Sequence, residues 1–261
     1  MGVILQTEHL EKRFGGLVAV NNLDLIVKDN CINALIGPNG SGKTTTLNLI
    51  SGALQPTSGR IVLKGQDITP LKEFQVARTG IRRTFQNLKL FWRSTVLENV
   101  MMGGEGDDQG IMRYLANPFA ARREEALLAE KAYSKLEYIG LAHLADKSVR
   151  DLPYGQQKLI EIARALMGEP KLLLLDEPAT GLNPNERQEL VKLLLKIQSD
   201  GVIILIIEHN MDVIMHTCDW ITVINFGSKI AEGSPDEIQN NPHVIEAYLG
   251  ANYKKINLED K

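Results

Sequence analysis

The sequence predicts an α/β fold with a mostly parallel core sheet, an N-terminal antiparallel β subdomain and an inserted α-helical subdomain. Three observations predict it. Segments near the N-terminus, such as VILQTEHL, alternate apolar and polar residues, which is typical of antiparallel strands with one solvated face. Strands in the second half are apolar throughout and alternate with helices, which is typical of a buried parallel sheet. From about Thr95 to Leu152 the pattern is mostly helical and interrupts this alternation.

The predicted elements follow in a simple order. The first half gives strands in VILQTEHL, LVAVNNLDLIV and INALIG, a helix in TTTLNLISG, and short strands in RIVLKG and IRRTFQ. The helical section gives VLENVMMGG, an acidic loop GGEGDDQG, and the long helix AARREEALLAEKAYSKLEYIGL. The second half gives a helix from Tyr154, then KLLLLDEP, PNERQELVKLLLKIQSD, GVIILIIEH, a further helix and DWITVIN. The hairpin VINFGSKIAEG, the helical tail PDEIQNNPHVIEAYLG and the polar end KINLEDK complete the chain.

This order predicts one domain over residues 1–250. Its core takes 1–90 and 166–235, its helical subdomain takes 91–165, and a C-terminal helical tail takes 236–261. The 261 residues are 44% hydrophobic and 23% charged, which is ordinary globular composition. The net charge of −3 gives no general attraction to nucleic acid or anionic lipid.

Two further observations bear on the compartment. Cys31 and Cys218 lie far apart, which favours a reducing compartment over a disulfide framework or a thiolate metal site. No secretory signal pattern begins the sequence, and no apolar run approaches the roughly 18 residues that span a bilayer. We therefore expect a cytoplasmic protein whose membrane association comes through a partner.

A phosphate-binding motif follows the apolar strand INALIG. The segment GPNGSGKT, from Gly37 to Thr44, fits the pattern G-x-x-x-x-G-K-[ST] and opens a helix. Its glycines let backbone N–H groups surround phosphates, and the helix N-terminus adds partial positive charge. Lys43 is expected to bridge the β- and γ-phosphates, and the Thr44 hydroxyl to ligate Mg²⁺. The motif predicts a P-loop nucleotide triphosphatase.

Two adjacent carboxylates follow the strand LLLLDEP. Asp176 stands at the carboxyl end of the strand, where open α/β sheets bind their ligands, and is expected to hold Mg²⁺ through water. Glu177 is placed to polarise an attacking water. Small-molecule kinases, GTPases and motor ATPases share these features, although no N-K-x-D motif for guanine is present.

The remaining motifs resemble those of the ATP-binding cassette (ABC) ATPases, in the family's order and over nearly the whole chain, from Val3 to about Gly250. Phe14, in EKRFGG, matches the aromatic residue that stacks on adenine. Gln86, in RTFQNLKLF, matches the glutamine of the Q-loop, which senses Mg²⁺ and water and couples to the transporter. His209, after GVIILII, matches the switch histidine that reaches the γ-phosphate.

The resemblance implies a full set of site residues. The catalytic residues are Glu177, His209, Gln86 and Lys43, and the Mg²⁺ ligands are Thr44, Gln86 and Asp176. The residues that bind ATP are Phe14, Val20, Gly37, Pro38, Asn39, Gly40, Ser41, Gly42, Lys43, Thr44 and Thr45.

The signature segment departs from the family pattern. The usual L-S-G-G-Q opens a helix that faces the γ-phosphate of ATP in another subunit; here the aligned residues are Leu152, Pro153, Tyr154, Gly155 and Gln156. Proline lacks both a side-chain donor and a backbone N–H, but it suits the first turn of a helix. The resemblance implies a working signature that relies on backbone donors and the helix dipole; the alternative is an inactive half-site.

A second departure lies in the D-loop, where the family commonly has S-A-L-D. The aligned residues here are Thr180, Gly181, Leu182 and Asn183. Asn183 keeps the hydrogen bonding and loses the charge, which puts in doubt a charge-based coupling between two ATP sites.

The two departures together look like one subfamily. The segments L-P-Y-G-Q-Q, R-T-F-Q-N, A-T-G-L-N-P and V-I-E-A-Y-L-G are similar to the ATPase subunits of branched-chain or hydrophobic amino acid importers. This resemblance implies membrane permease subunits, a second ABC ATPase subunit (identical or paralogous), an external solute-binding protein and a place on the inner face of the cell membrane.

Alternatives stay open at this point. They are importers of urea or amides, exporters of lipopolysaccharide, non-transport ABC ATPases and P-loop kinases. Basic residues around the Q-loop predict either a surface for a permease or a solvated face; they are Arg78, Arg82, Arg83, Lys89 and Arg93.

Overall fold

The computed structural model of the protein describes residues 2–104 and 118–249. The chain forms two compact units. The first takes the described residues up to 83, residues 171–179 and residues 194–249; the second takes the described part of 84–170 and residues 180–193. The predicted helical subdomain, 91–165, is smaller than the second unit, which takes the described part of 84–170 and also residues 180–193, predicted as core; the predicted boundaries stay predictions.

The elements are given in chain order. They are β1 Val3–Phe14, β2 Leu17–Leu23, β3 Ile26–Lys28, β4 Ile32–Ile36, α1 Lys43–Ile50, β5 Ser58–Leu63, β6 Gln66–Asp67, α2 Glu73–Arg78, β7 Ile81–Arg83, α3 Val96–Met101, α4 Pro118–Tyr138, α5 Tyr154–Leu166, β8 Leu172–Asp176, α6 Pro184–Ser199, β9 Ile203–Ile207, α7 Met211–Thr217, β10 Trp220–Asn225, β11 Ser228–Gly233, α8 Pro235–Gln239 and α9 Pro242–Leu249. Two short 3₁₀ helices, Ala142–Leu144 and Val149–Asp151, precede α5.

The first unit contains two sheets. One has the strand order β2-β1-β5-β6, with β3 also paired to β1, and all its pairings are antiparallel. The other has the order β11-β10-β4-β9-β8-β7, and every pairing in it except that of the β10–β11 hairpin is parallel. The predicted α/β fold with a mostly parallel core sheet is confirmed.

Apolar side chains explain these layers. Every residue of β4, β8 and β9 is buried, as expected for central strands of a parallel sheet covered on both faces. One apolar cluster joins these strands to α1 and to the antiparallel sheet; it includes Leu5, Leu10, Leu23, Leu35, Leu47, Ile50, Leu172, Leu174, Leu205 and Ile207. The buried strands hold their carboxyl ends rigidly, which fixes the residues that follow them.

The second unit has its own apolar core. Helices α3, α4 and α5 and the two 3₁₀ helices contribute to it, and its buried members include Val96, Val100, Ala132, Leu136, Val149, Ile160, Ala163 and Met167. Their spacing is helical, as the sequence predicts. Within the described ranges, no helix of either unit is long and apolar enough to cross a membrane.

Some details differ from the sequence-based expectation. The short helix α2 and the two 3₁₀ helices are not predicted, because segments of so few residues show no clear periodicity. The segment IRRTFQ forms a strand only over Ile81–Arg83. The helical tail consists of two helices, because Ser234 and Asn241 precede prolines that each start a new helix. Most of GGEGDDQG and all of KINLEDK lie outside the described residues.

Candidate nucleotide-binding site

The phosphate loop connects β4 to α1, and its glycines are required by close backbone contacts. A Cβ at Gly37 would lie 2.0 Å from the carbonyl oxygen of Ile224, and one at Gly42 would lie 2.3 Å from that of Ala19. Gly42 also has φ +102°, which side chains rarely adopt. The loop therefore fits tightly between β2 and the β10–β11 turn.

The first turn of α1 is left without a side-chain cap. Gly42 is its N-cap residue and offers no acceptor to the N–H groups of the turn. The N-cap residues of helices α3, α7 and α8 are instead Thr95, Asn210 and Ser234, whose side chains accept hydrogen bonds from N–H groups of the first turn. An uncapped N-terminus presents its N–H groups and positive dipole end to an anion.

Two further donors lie in the loop. The buried Lys43 donates from Nζ to the carbonyl oxygens of Gly37 (2.8 Å) and Pro38 (2.9 Å). Burial lowers the pKa of Lys43, and the charges of Glu177 and Asp176 oppose that shift. The Ser41 hydroxyl is buried and has no hydrogen-bond partner among the described residues. This set of donors suits a polyphosphate.

Asp176 stands at the end of β8 and is paired with an arginine. Arg83 donates from Nη2 to Oδ2 of Asp176 at 2.9 Å, and the two side chains are 7% and 1% exposed. The Arg83 guanidinium also donates to Asn48 (2.6 Å) and Ser51 (3.1 Å) of α1 and the residue after it. The expectation that Arg83 belongs to a surface basic face is therefore wrong, because this side chain points to the buried carboxylate.

Glu177 and His209 lie next to each other after β8 and β9. Glu177 has φ +50° and donates its N–H to the carbonyl oxygen of Ile207 at 2.9 Å. Its Oε2 lies 3.8 Å from Nδ1 of His209, whose side chain is half-exposed. Two residues far apart in sequence thus meet at the carboxyl edge of the parallel sheet, where such folds bind ligands.

Phe14 and Val20, two of the residues predicted to bind ATP, differ in accessibility. Phe14 ends β1 and is 45% exposed, with Lys12 Nζ 5.2 Å from its ring centroid. Its ring thus keeps accessible surface for stacking. Val20 is 0% exposed and belongs to the apolar core, so it has no surface to offer a ligand. Its position beside Gly227 indicates a packing role beneath the loop.

The C-terminal tail borders the phosphate loop. An open cavity of about 700 Å³ is lined by Pro38, Asn39, Gly40 and Ser41 on one side. Phe226 of the β10–β11 turn and side chains of α9 line the other side. The described part of the predicted tail, residues 236–249, therefore packs within the first unit, beside the loop.

The second unit contains α5, the helix that begins within the predicted signature. Pro153 is its N-cap residue, with φ −55° and ψ 150°, and no side chain caps the first turn. Gln157 instead donates to the carbonyl oxygen of Leu152 at 2.9 Å, which holds the incoming chain. Gln156 is half-buried and Pro153 is exposed. Like α1, this helix begins with N–H groups that no side chain caps.

The signature and the D-loop contact each other within this unit. A Cβ at Gly181, which has φ +82°, would lie 2.8 Å from the Tyr154 ring. A Cβ at Gly155 would lie 2.5 Å from the Glu186 carboxylate. The tyrosine in the signature therefore fits because glycine occupies position 181.

Asn183 has a structural role at the start of α6. Its Oδ1 accepts from the N–H groups of Asn185 (3.0 Å) and Glu186 (3.1 Å), and its own N–H donates to Glu186 at 2.9 Å. This is a reciprocal capping arrangement, for which asparagine and aspartate serve equally well. Leu182 beside it is buried.

Charged residues of α5 hold the Q-loop backbone. Lys158, buried, donates from Nζ to the carbonyl oxygen of Gln86 at 3.0 Å. Glu161 accepts from the Phe85 N–H at 3.3 Å, and Arg164 donates to the carbonyl oxygen of Lys89. Their helical spacing puts them on one face of α5. The sequence reading missed this role, although charges at positions 158, 161 and 164, among the apolar residues of this helix, are a usable signal.

Fold and site together define a P-loop nucleotide triphosphatase. The family model described as ABC transporter matches residues 20–180, and one described as branched-chain amino acid ATP-binding cassette transporter matches residues 228–254. The chain belongs to the ABC transporter family and is one of its ATP-hydrolysing cassettes.

Named relatives cover nearly the whole chain. It is 44% identical over 95% of its length to the high-affinity branched-chain amino acid transport ATP-binding protein BraF of Pseudomonas aeruginosa, of which 98% is covered. It is 42% identical over 95% of its length to LivG of Escherichia coli K12, of the same description, of which 98% is covered.

Solved cassettes share the fold. A nucleotide-free ATP-binding cassette from an ABC transporter has a TM-score of 0.84 and 36% identity, over 95% of this chain and 100% of that one. An ADP-bound cassette has a TM-score of 0.84 and 35% identity, over 96% and 100%.

Proposed function

We propose that the protein is the ATP-hydrolysing motor subunit of an importer for branched-chain or hydrophobic amino acids. The observation that carries the catalytic part is the 3.8 Å approach of Glu177 to His209, in the same unit as the phosphate loop. The solute class rests on the named relatives and on the match over residues 228–254. We expect no side chain of this subunit to contact the solute, so the subunit acts through partner proteins.

ATP binding uses the loop and its surroundings. The N–H groups at the start of α1, the Lys43 ammonium and the Ser41 hydroxyl bind the phosphates, with Gly37 to Thr45 forming the cradle. Phe14 stacks on adenine through its exposed ring.

Mg²⁺ fits the same site. Thr44 is exposed in the first turn of α1, and Asp176 supplies a carboxylate at the end of β8. No cluster of three or more His, Cys, Asp or Glu side chains that could hold a metal occurs in the described part of the chain. That suits a cation that takes few protein ligands and keeps water and phosphate oxygens. When bound, Mg²⁺ would neutralise charge on the phosphates. Gln86, predicted as a third ligand, belongs to the second unit and stays a prediction.

Hydrolysis follows from the two residues that meet after β8 and β9. Glu177 orients a water molecule and accepts its proton while the water oxygen attacks the γ-phosphorus. The bond from phosphorus to the bridging oxygen breaks, and ADP leaves with that electron pair. His209 and Lys43 stabilise the charge on the transferred phosphoryl group.

Two cassettes are required for the cycle. The uncapped N-terminus of α5, with Gly155 and Gln156, contacts the γ-phosphate held by the loop of a partner cassette. Backbone donors replace the serine hydroxyl that Pro153 lacks. The contacts of the signature helix to the partner's γ-phosphate exist only in the closed pair, so ATP closes it and hydrolysis reopens it.

The partners are two membrane permease subunits, a second cassette and, through them, an external solute-binding protein. Gln86 and the second unit transmit closure to the permeases, and the subunit lies peripherally on the inner face of the membrane. No helix that could span a bilayer is found among residues 2–104 and 118–249, so this association depends on the permeases.

The first test replaces Glu177 with glutamine. We expect Glu177→Gln to bind ATP with Mg²⁺ as the unchanged protein does, to lose hydrolysis and to accumulate as a closed pair, alone or mixed with its paralogous cassette. Gel filtration with light scattering measures the pair. The double variant with Lys43→Met is the control and should remain monomeric. A Glu177→Gln protein that binds ATP and stays monomeric in both mixtures would contradict the proposal.

The solute is tested in the assembled transporter. Copurification from native membranes in mild detergent should recover two polytopic membrane proteins and a second cassette. In vesicles made with these chains and the binding protein, radiolabelled leucine should accumulate on ATP hydrolysis while urea does not. Urea uptake without leucine uptake would assign the amide importers instead.

A further inference from the structure

Glu208 is a buried carboxylate beside the catalytic residues for which the proposed reaction gives no role. It follows the five buried residues of β9, precedes His209 and is 1% exposed. Burying a carboxylate is unfavourable unless strong hydrogen bonds replace its water. Burial raises the pKa of Glu208, and hydrogen bonds from neighbouring backbone N–H groups oppose the shift.

Those hydrogen bonds come from two different loops. Oε1 accepts from the N–H of Ala179, three residues after Asp176, at 2.7 Å. Oε2 accepts from the N–H groups of His209 at 3.1 Å and Asn210 at 3.2 Å. One side chain thus joins the segment after β8 to the segment after β9, and every named donor is a backbone group.

The joined segments carry the two residues that act on water and phosphate. Glu177 is two residues before Ala179, and its own N–H is held by the carbonyl oxygen of Ile207. On the other side, the peptide group of His209 is held directly by Glu208. The half-exposed His209 side chain lies 3.8 Å from Glu177, so its position near that carboxylate depends on where the backbone of His209 is held.

We propose that Glu208 is a positioning residue for ATP hydrolysis, fixing the backbone of the switch histidine to the segment that follows Glu177. This inference rests on the proposed function, because it concerns the same reaction. It assigns Glu208 no contact with ATP. The residue holds one arrangement of Glu177 and His209, and geometry of this kind controls rate more than binding.

The test replaces Glu208 with glutamine, which keeps the size of the side chain. One end of the amide is a donor, so it cannot accept from both loops, and one of the two connections is lost. We expect kcat for ATP hydrolysis to fall about 10- to 100-fold, as misplaced catalytic groups do. KM and the Kd of ATP should change less than about twofold, since the phosphate loop is intact.

Asp219→Asn is the matched control. Its carboxylate also accepts from a backbone N–H, that of Ile32 at 2.8 Å, but at the amino ends of the strands. We expect its kcat to stay within about twofold of the unchanged protein. Retained ATP binding shows that each variant is folded.

A second measurement separates positioning from a general structural effect. In single-turnover assays, the loss caused by Glu208→Gln should shrink to less than about threefold in a His209→Ala background, because residues that act through each other are not additive. Equal losses in both backgrounds, or a raised Kd for ATP with unchanged kcat, would overturn the proposal while the ATPase assignment stands. An unchanged protein that binds ATP without hydrolysing it would overturn both.

Discussion

The phosphate loop and the signature each lead into a helix whose first turn has no side-chain cap. The atoms that crowd the glycines of the phosphate loop differ in kind from those beside Gly155 of the signature and Gly181 of the D-loop. At Gly37 and Gly42 the nearest atoms to an added Cβ are backbone carbonyl oxygens of other strands, at 2.0 and 2.3 Å. At Gly155 and Gly181 they are side-chain atoms of Glu186 and Tyr154, at 2.5 and 2.8 Å. The backbone oxygens near Gly37 and Gly42 belong to strands and remain after any single substitution. The side chains near Gly155 and Gly181 can be changed by one substitution.

This difference explains where the chain departs from its family's pattern. GPNGSGKT matches the phosphate-loop motif at every defined position, while the signature has Pro153 and Tyr154, and the D-loop has Gly181. A tyrosine is accommodated in the signature because its neighbour is small. Tyr154 and Gly181 thus form one compensated pair, and the backbone donors of α5 are kept.

The largest expected effect compares two buried lysines that each donate to a loop carbonyl. Lys43→Met should weaken ATP binding about 1,000-fold, because it removes the hydrogen bonds from the Lys43 ammonium to the phosphates. Hydrogen bonds to charged groups contribute about 1.5–3 kcal/mol each. Lys158→Met should leave the Kd of ATP unchanged and lower the free energy of unfolding by about 1–3 kcal/mol, since the Gln86 carbonyl loses its donor. Fluorescent-nucleotide titration and urea unfolding measure the two effects. A Lys158→Met protein that no longer binds ATP would break the comparison.

A smaller effect tests the compensated pair. Gly181→Ala should lower the free energy of unfolding by about 2–3 kcal/mol, from its left-handed backbone and from overlap with Tyr154. In a Tyr154→Gly background the overlap is gone and only the backbone part should remain. Urea unfolding of the four proteins in the cycle gives the coupling.

Gly42→Ala is the control, because the Ala19 carbonyl that it would meet belongs to the backbone. The same Tyr154→Gly change should give it no relief. Additive losses for Gly181→Ala and Tyr154→Gly would show that the two positions are not a pair.

The smallest expected effect is a pH dependence in the second unit. Burial raises the pKa of Glu161, and the positive charges of Lys158 and Arg164 reduce this shift without reversing it. An acid whose folded-state pKa is raised stabilises the fold below its unfolded pKa of about 4.3 and loses that contribution as pH rises through the folded pKa. The free energy of unfolding of the unchanged protein, relative to Glu161→Gln, should therefore decrease as pH rises over that window. Urea unfolding of both proteins at several pH values checks it, and an opposite slope would mean that the cations dominate.

Much of this protein is readable from its sequence. The apolar runs INALI, LLLLD and IILII predict the central strands, because a strand buried on both faces needs apolar residues throughout. The motif GPNGSGKT predicts the phosphate loop, because only glycines with a following lysine form that cradle. Glu177 is predicted by position, since it follows a strand of the parallel sheet, and His209 is predicted by its match to the switch histidine of the family.

Other features depend on contacts between distant segments, which the sequence pattern does not contain. Arg83 reads as one of several surface cations, yet it pairs with Asp176, 93 positions away, because β7 and β8 are neighbours in the sheet. Val20 is predicted as an ATP-binding residue, yet its side chain is buried in the apolar core.

The sequence by itself determined the central strands, the longer helices and the phosphate loop, since each depends on residues within one short segment. The tertiary structure alone decided which side chains hold the site together: Arg83 on Asp176, Glu208 between two loops, and Tyr154 against Gly181. The physical reason is that the contacts of a buried charge or a crowded glycine are made with residues from other segments, which only the fold brings together. Local periodicity carries no record of those neighbours.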